Sequence, residues 1–199
     1  MYEYKAVSAA NLVIGNLYRA GLPEERYRFY MGQALCIRAC LYFQIIRLWG
    51  DAPLVLEYED ISEKGRTPWR EIAGHIVADL LLAAEYLPPA DQLKDSEGKP
   101  LTARQIPGRG TAYAILAGVY AWIAGYGQEP EYYALGIEAA GKVIGDPNYR
   151  LVASPEEVCT EVLPGNSEEG IFEVCYDDSR GEYKDFGSYI GGTVEKWPV

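Results

Sequence analysis

Histidine occurs once in the 199 residues, at His75, and no Cys-x-x-Cys pair accompanies it, so the chain has no ligand set for a zinc site. No metal and no cofactor are expected. The four cysteines are spread thinly: Cys36 and Cys40 lie one helical turn apart, while Cys159 and Cys175 stand alone. They read as small buried apolar residues. A disulfide stays open, because nothing in the sequence fixes the redox compartment. Basic residues are outnumbered, 18 Lys and Arg against 29 Asp and Glu, which gives a net charge of −11. Such a surface repels phosphate backbones and anionic headgroups, so nucleic acid is excluded as an expected partner. Residues 1–7 lack the basic start, apolar stretch and small-residue cleavage site of a secretory signal. The chain opens almost inside a helical pattern, as expected of an internal piece of a longer polypeptide.

Catalytic patterns are missing as well. There is no Gly-x-Ser-x-Gly, and His75 lies mid-helix without a Ser or Cys mate. Gly108-Arg109-Gly110 begins like a dinucleotide-binding turn, but Tyr113 occupies the last glycine position and no strand precedes it. The acidic doublets Glu156-Glu157, Glu168-Glu169 and Asp177-Asp178 are adjacent in sequence. Glycoside cleavage needs two carboxylates facing each other across a substrate. The doublets read as helix caps and solvated groups, and no enzyme is expected.

What the chain does have is helix. Hydrophobic residues make up 49%, enough for a sizeable core at this length. In 3–20, Tyr4, Val7, Ala10, Leu12, Ile14 and Leu17 form a stripe at three-to-four spacing, stopped at Gly21-Leu22-Pro23. In 26–49, apolar residues wrap nearly all round, from Ala34 and Cys36 through Ile37, Phe43 and Ile46 to Leu48, which marks a central helix ending at Gly50. A third helix is expected from Thr67 as cap and Pro68 at the first position, burying Ile72, Ile76, Leu80, Ala83, Ala84 and Leu87. A fourth spans about 109–126 and a fifth about 130–145. Ser154-Pro155-Glu156-Glu157 is a capping box that opens a short sixth over 155–162. The stretch Gly110–Gln128 is uncharged but rich in Gly, Ala and Tyr, which suits a tightly packed bundle helix better than a membrane span.

Tyr113, Leu116, Ala117 and Tyr120 fall at the spacing of the first tetratricopeptide helix, and Gly136, Ala140 and Val143 with Pro147 fit the second. The expected fold is mainly all-α, with tetratricopeptide-like helix pairs in an α-α superhelix. Long loops are expected at 54–66 and 88–108, and a short β-like run near the C-terminus at Ile171, Phe172, Val174, Cys175 and Tyr176. The organisation is then a helical core over 1–165 followed by an irregular, loop-rich segment over 166–199. Inside the core, Arg38 and Arg47 are nine residues apart and point to opposite faces. Arg38 lies among apolar residues and calls for a buried acid, for which Asp79, the one carboxylate in the middle of the third helix, is the candidate.

Aromatics complete the pattern: seventeen Tyr and four Trp against four Phe, a mix suited to apolar faces that also make hydrogen bonds. Tyr113, Tyr120 and Trp122 follow the buried stripe and are expected in the core. Tyr183, Tyr189 and Trp197 sit among Gly, Asp and Ser in a segment composed like a stacking platform.

Gly32-Gln33-Ala34-Leu35-Cys36-Ile37-Arg38-Ala39-Cys40-Leu41-Tyr42-Phe43 followed by Arg47-Leu48-Trp49-Gly50-Asp51-Ala52-Pro53-Leu54-Val55 resembles the signature helix and exit of the SusD/RagB-like proteins. Further blocks agree in order: Ile76 to Leu80, Gly108-Arg109-Gly110-Thr111 before an Ala-rich helix, Tyr133 to Ala140, and Glu168-Glu169-Gly170-Ile171-Phe172. Gln33 replaces the family's usual Glu, and the lipidated N-terminal Cys and the C-terminal half are missing from these 199 residues. The resemblance implies a surface lipoprotein of the outer membrane that captures oligosaccharides (peptides in some systems) and covers a SusC-like TonB-dependent transporter. It also implies Tyr183, Tyr189 and Trp197 as ligand-binding candidates, since the family's segment after this strand leads toward the ligand. The alternative from repeat architecture alone is a helical scaffold that binds a protein or peptide partner in its groove.

Overall fold

A computed structural model of the chain describes residues 2–60, 62–101, 104–162 and 167–173. Its elements are α1 (Tyr2–Asn16) with a 3₁₀ turn at Leu17–Ala20, α2 (Glu24–Trp49), α3 (Trp69–Tyr86), a 3₁₀ turn at Ala90–Gln92, α4 (Arg109–Tyr126), α5 (Tyr132–Ile144) and α6 (Pro155–Glu157), which runs on as a wider turn over Val158–Val162. No strand occurs among the described residues. Each of the first five helices packs mainly on its neighbours in sequence, α1 on α2, α2 on α3, α3 on α4 and α4 on α5. Sequential packing of this kind is the stacking habit of helical repeats. The fold is all-α and tetratricopeptide-like.

The helices begin and end where backbone chemistry dictates. Gly21 takes a left-handed φ of 58° after the first turn, and Gly50 takes φ 68° while donating its N–H to the Ile46 carbonyl. The start of α3 differs from expectation. Pro68 is the residue before the helix, and Thr67 spends its backbone on a two-way bridge to Ala52. Asp51, eighteen residues upstream, supplies the cap instead, its Oδ1 accepting the Trp69 N–H at 2.9 Å. At α6 the expected cap is present: Ser154 Oγ accepts from the Glu157 N–H, and Glu157 Oε2 accepts from the Ala153 N–H.

The core lies where α2, α3 and α4 meet. Ile45, Ile46, Ile72, Ile76, Leu80, Leu87, Leu116 and Val119 are fully buried there, each contributing about 1.5–3 kcal/mol. α2 is long and apolar enough to cross a membrane by length and composition, yet its apolar residues are largely taken up by this core. On α1 the stripe is Val7, Ala10 and Asn11, not Leu12, which is 50% exposed. Leu48 and Ile37 are likewise at the surface, and Trp122 is half-buried. An all-round apolar pattern does not say which faces neighbours will cover.

Described parts of both long loops are tied to the helices or to themselves. Residues 53–56 are strapped down by side chains from α1 and α2. In 88–108, Leu93 is buried, Lys94 pairs with Pro100, and Asp95 Oδ1 accepts the N–H groups of Glu97 and Lys99. Residues 171–173 of the expected β-like run are irregular, tied by the Glu173 N–H to the Arg104 carbonyl. The rest of that run lies outside the described residues.

Candidate functional site

The one charged residue buried in the core among the described residues is Arg38, 8% exposed in the middle of α2. Its Nε and Nη2 hold both carboxylate oxygens of Asp79 at 2.7 and 2.8 Å, and Nη1 donates to Asn11 Oδ1 at 2.9 Å and to the Leu56 carbonyl at 3.4 Å. The pairing expected from the sequence is therefore present. Asn11, 1% exposed, completes it and passes its own N–H to the Val55 carbonyl. Tyr42 hydroxyl both donates to the Val55 carbonyl and accepts the Val55 N–H, and Tyr4 hydroxyl donates to the Pro53 carbonyl at 2.7 Å. Burial pushes the Tyr4 phenol up to about 12, with Tyr42 adding to it, and burial also raises Tyr42. Among the described residues, no buried side-chain polar atom lacks a partner. A network this closed has nothing left to offer a ligand. It fixes the exit of α2.

A second polar cluster joins the late segments. Gly108 N–H donates to Thr111 Oγ1, whose hydroxyl donates to the Ile171 carbonyl. Arg104 donates to the Asn148 carbonyl and lies 5.0 Å from the Tyr149 ring centre. The ring of Tyr149 fills the space beside Gly110, where a Cβ would sit 2.4 Å from it. So the glycine of Gly108-Arg109-Gly110 serves close packing, not phosphate binding.

Of the acidic doublets, Glu156-Glu157 provides the expected cap, while Glu168-Glu169 is taken up by an ion pair and a backbone contact. Glu157 caps α6; Glu168 pairs with Arg150, and Glu169 accepts from the Val152 N–H. Asp177-Asp178 lie outside the described residues. No cluster of three or more His, Cys, Asp or Glu that could hold a metal occurs among the described residues. His75 is on the exposed side of α3. Cys36 is buried and its thiol pushed up to about 12 by burial, Cys40 is half-buried and raised for the same reason, and both are free.

Two clefts remain. One of about 790 Å³ lies between the start of α2 and the 88–98 loop, lined by charges of both signs such as Arg26, Asp91, Lys94 and Arg109. The other, about 310 Å³, opens between α3 and the α4–α5 pair. It adjoins an aromatic cluster of Phe43, Trp69, Trp122 and Tyr126, in which Trp122 and Tyr126 stack at 4.7 Å. Arg70 reaches from Trp69, 4.4 Å over its ring, to Glu129 at 2.9 Å. This cluster explains why Trp122 is only half-buried. Tyr120 is buried, and Tyr113 and Trp122, both half-buried, pack against the core. Neither cleft was legible in the sequence, apart from the oddity of a glycine, Gly74, inside α3. Tyr183, Tyr189 and Trp197 lie outside the described residues.

Residues 1–121 match the SusD-like family described as starch-binding and associating with the outer membrane. The chain is 31% identical over 121 residues to SusD-like protein P2 of Formosa agariphila, an alignment that covers 59% of this chain and 22% of that protein. A SusD-like protein of Bacteroides fragilis has a similar structure, with TM-score 0.70 and 24% identity over 87% of this chain and 32% of its own. A laminarin-binding SusD-like protein matches with TM-score 0.64 and 20% identity over 80% of this chain and 33% of its own. The 199 residues thus align with about a quarter to a third of the length of these relatives.

Proposed function

The chain belongs to the SusD-like family, and on that premise we propose that the protein captures an oligosaccharide at the cell surface and delivers it, unaltered, to a SusC-like TonB-dependent transporter of the outer membrane. The observation that carries this reading is the family match over residues 1–121, which falls on the helical core and its signature exit at Gly50-Asp51-Ala52-Pro53. Laminarin binding by a structural relative supports a neutral glycan as the ligand class. The charge of −11 agrees, since a neutral sugar meets no long-range repulsion. In this reading the protein is a surface lipoprotein without catalytic activity. The helices up to 165 are the scaffold and residues 166–199 begin the ligand side.

Tyr183, Tyr189 and Trp197 are the proposed stacking rings, with sugar C–H faces against the ring planes and hydroxyls toward neighbouring Asp and Ser. The test is calorimetry on the full-length protein with malto-, laminari- and xylogluco-oligosaccharides. Trp197→Ala should weaken the binding found by about 1–3 kcal/mol, on the scale of aromatic stacking, and leave Tm unchanged. Unaltered affinity, or a Tm that falls with the binding, would make Trp197 a packing residue instead.

A further inference from the structure

The cleft between α3 and the α4–α5 pair is lined by Ala73, Gly74, Trp69, Tyr132, Arg70 and Glu129, among others. Gly74 is the feature that packing does not explain. Glycine is the worst helix former after proline, and Gly74 stands six residues inside α3. A Cβ built there meets nothing within 4 Å, and its φ is not in the left-handed region. Neither a neighbouring helix nor the backbone requires it. Its effect is to keep that part of the lining bare.

The lining is amphipathic in a particular way. Ala73 and Gly74 are small, and Trp69 and Tyr132 bring two aromatic rings to the lining. Arg70 and Glu129 bring one charge of each sign. Arg70 gives Nε to Glu129 Oε1 and Nη2 to the Gly127 carbonyl, and no other hydrogen bond engages its Nη1 or Glu129 Oε2 among the described residues. A volume of about 310 Å³ is at the small end of ligand cavities. An apolar knob from a protein partner would cover the ion pair and leave donor and acceptor capacity unused, which is costly. A pyranose ring offers C–H groups to the apolar lining and hydroxyls to the charges, and the paired charges favour a neutral sugar. We propose that this cleft is a saccharide subsite taking one neutral pyranose residue. The proposal rests on the reading of the protein as a saccharide binder, but places a contact on the helical core, apart from Tyr183, Tyr189 and Trp197.

Full-length protein labelled with 5-fluorotryptophan, its Trp69 signal assigned from Trp69→Phe, can be titrated with maltoheptaose, laminarihexaose and a xyloglucan heptasaccharide. The Trp69 resonance should shift and saturate with whichever sugar binds. Gly74→Leu, which adds a side chain to the lining and favours the helix, should abolish that shift and weaken binding at least threefold, with Tm equal to or above wild type; Gly74→Ala should bind as wild type. Binding by calorimetry with a motionless Trp69 signal and an unaffected Gly74→Leu overturns the subsite and leaves the saccharide function standing. A Trp69 shift produced by the transporter and by none of the sugars overturns it in favour of a protein contact. No binding of any saccharide overturns both.

Discussion

Arg38 holds a guanidinium in the middle of α2 with both Asp79 oxygens, Asn11 and a carbonyl of the following loop around it. Such a pair returns little net energy once desolvation is counted, but removing one member strands a charge. Asp79→Ala should therefore cost about 3–5 kcal/mol in urea unfolding, while Arg38→Met combined with Asp79→Leu should recover most of it. A loss under 1 kcal/mol would mean that water reaches the site. The Arg38–Asp79 pair was readable because a charge stood among apolar residues and the third helix had one central acid. Asn11 was not, since a polar residue beside Leu12 looks like the solvent face of α1. Tyr4 adds a pH dependence. Its phenol donates to the Pro53 carbonyl and is raised from 10.0 to about 12, so its contribution is complete below pH 10 and lost as pH rises through about 12. Tyr4→Phe should be less stable than wild type at neutral pH and lose less between pH 10 and 12; parallel stability curves would contradict this.

At the scale of elements, helix positions followed from apolar periodicity and from Gly50, Gly21 and Pro88, because these are local signals. The α3 cap was misread for a reason that is not local. Thr67 had the right residue type, but its backbone bridges Ala52, and this brings the Asp51 carboxylate to the Trp69 N–H. Asp51→Ala should cost about 0.5–2 kcal/mol, the range for losing an N-terminal cap, and Thr67→Val should cost less. The reverse order in thermal melts would restore Thr67 as the cap. The cleft beside Trp69 was not legible in the sequence because it forms between α3 and the α4–α5 pair, from Trp69 and Glu129 sixty residues apart. Trp122 followed the buried stripe yet lies only half-buried, since its ring turns to Trp69 and Tyr126 at the edge of the bundle.

At the scale of the whole molecule, the described residues form a stack of helices whose buried polar side chains all have partners and whose exit from α2 is clamped. In the proposed function this stack is the scaffold that presents a saccharide site. The central claim is that the protein binds a saccharide and does not cut it. The most direct measurement runs both readouts on one sample: calorimetric titration of the full-length protein with the oligosaccharide panel, then assay of the recovered sugar for new reducing ends. The account predicts a saturable heat with at least one saccharide, recovered at its original length. Reducing ends above a heat-killed control, abolished by substituting one of the acidic doublets, would contradict it.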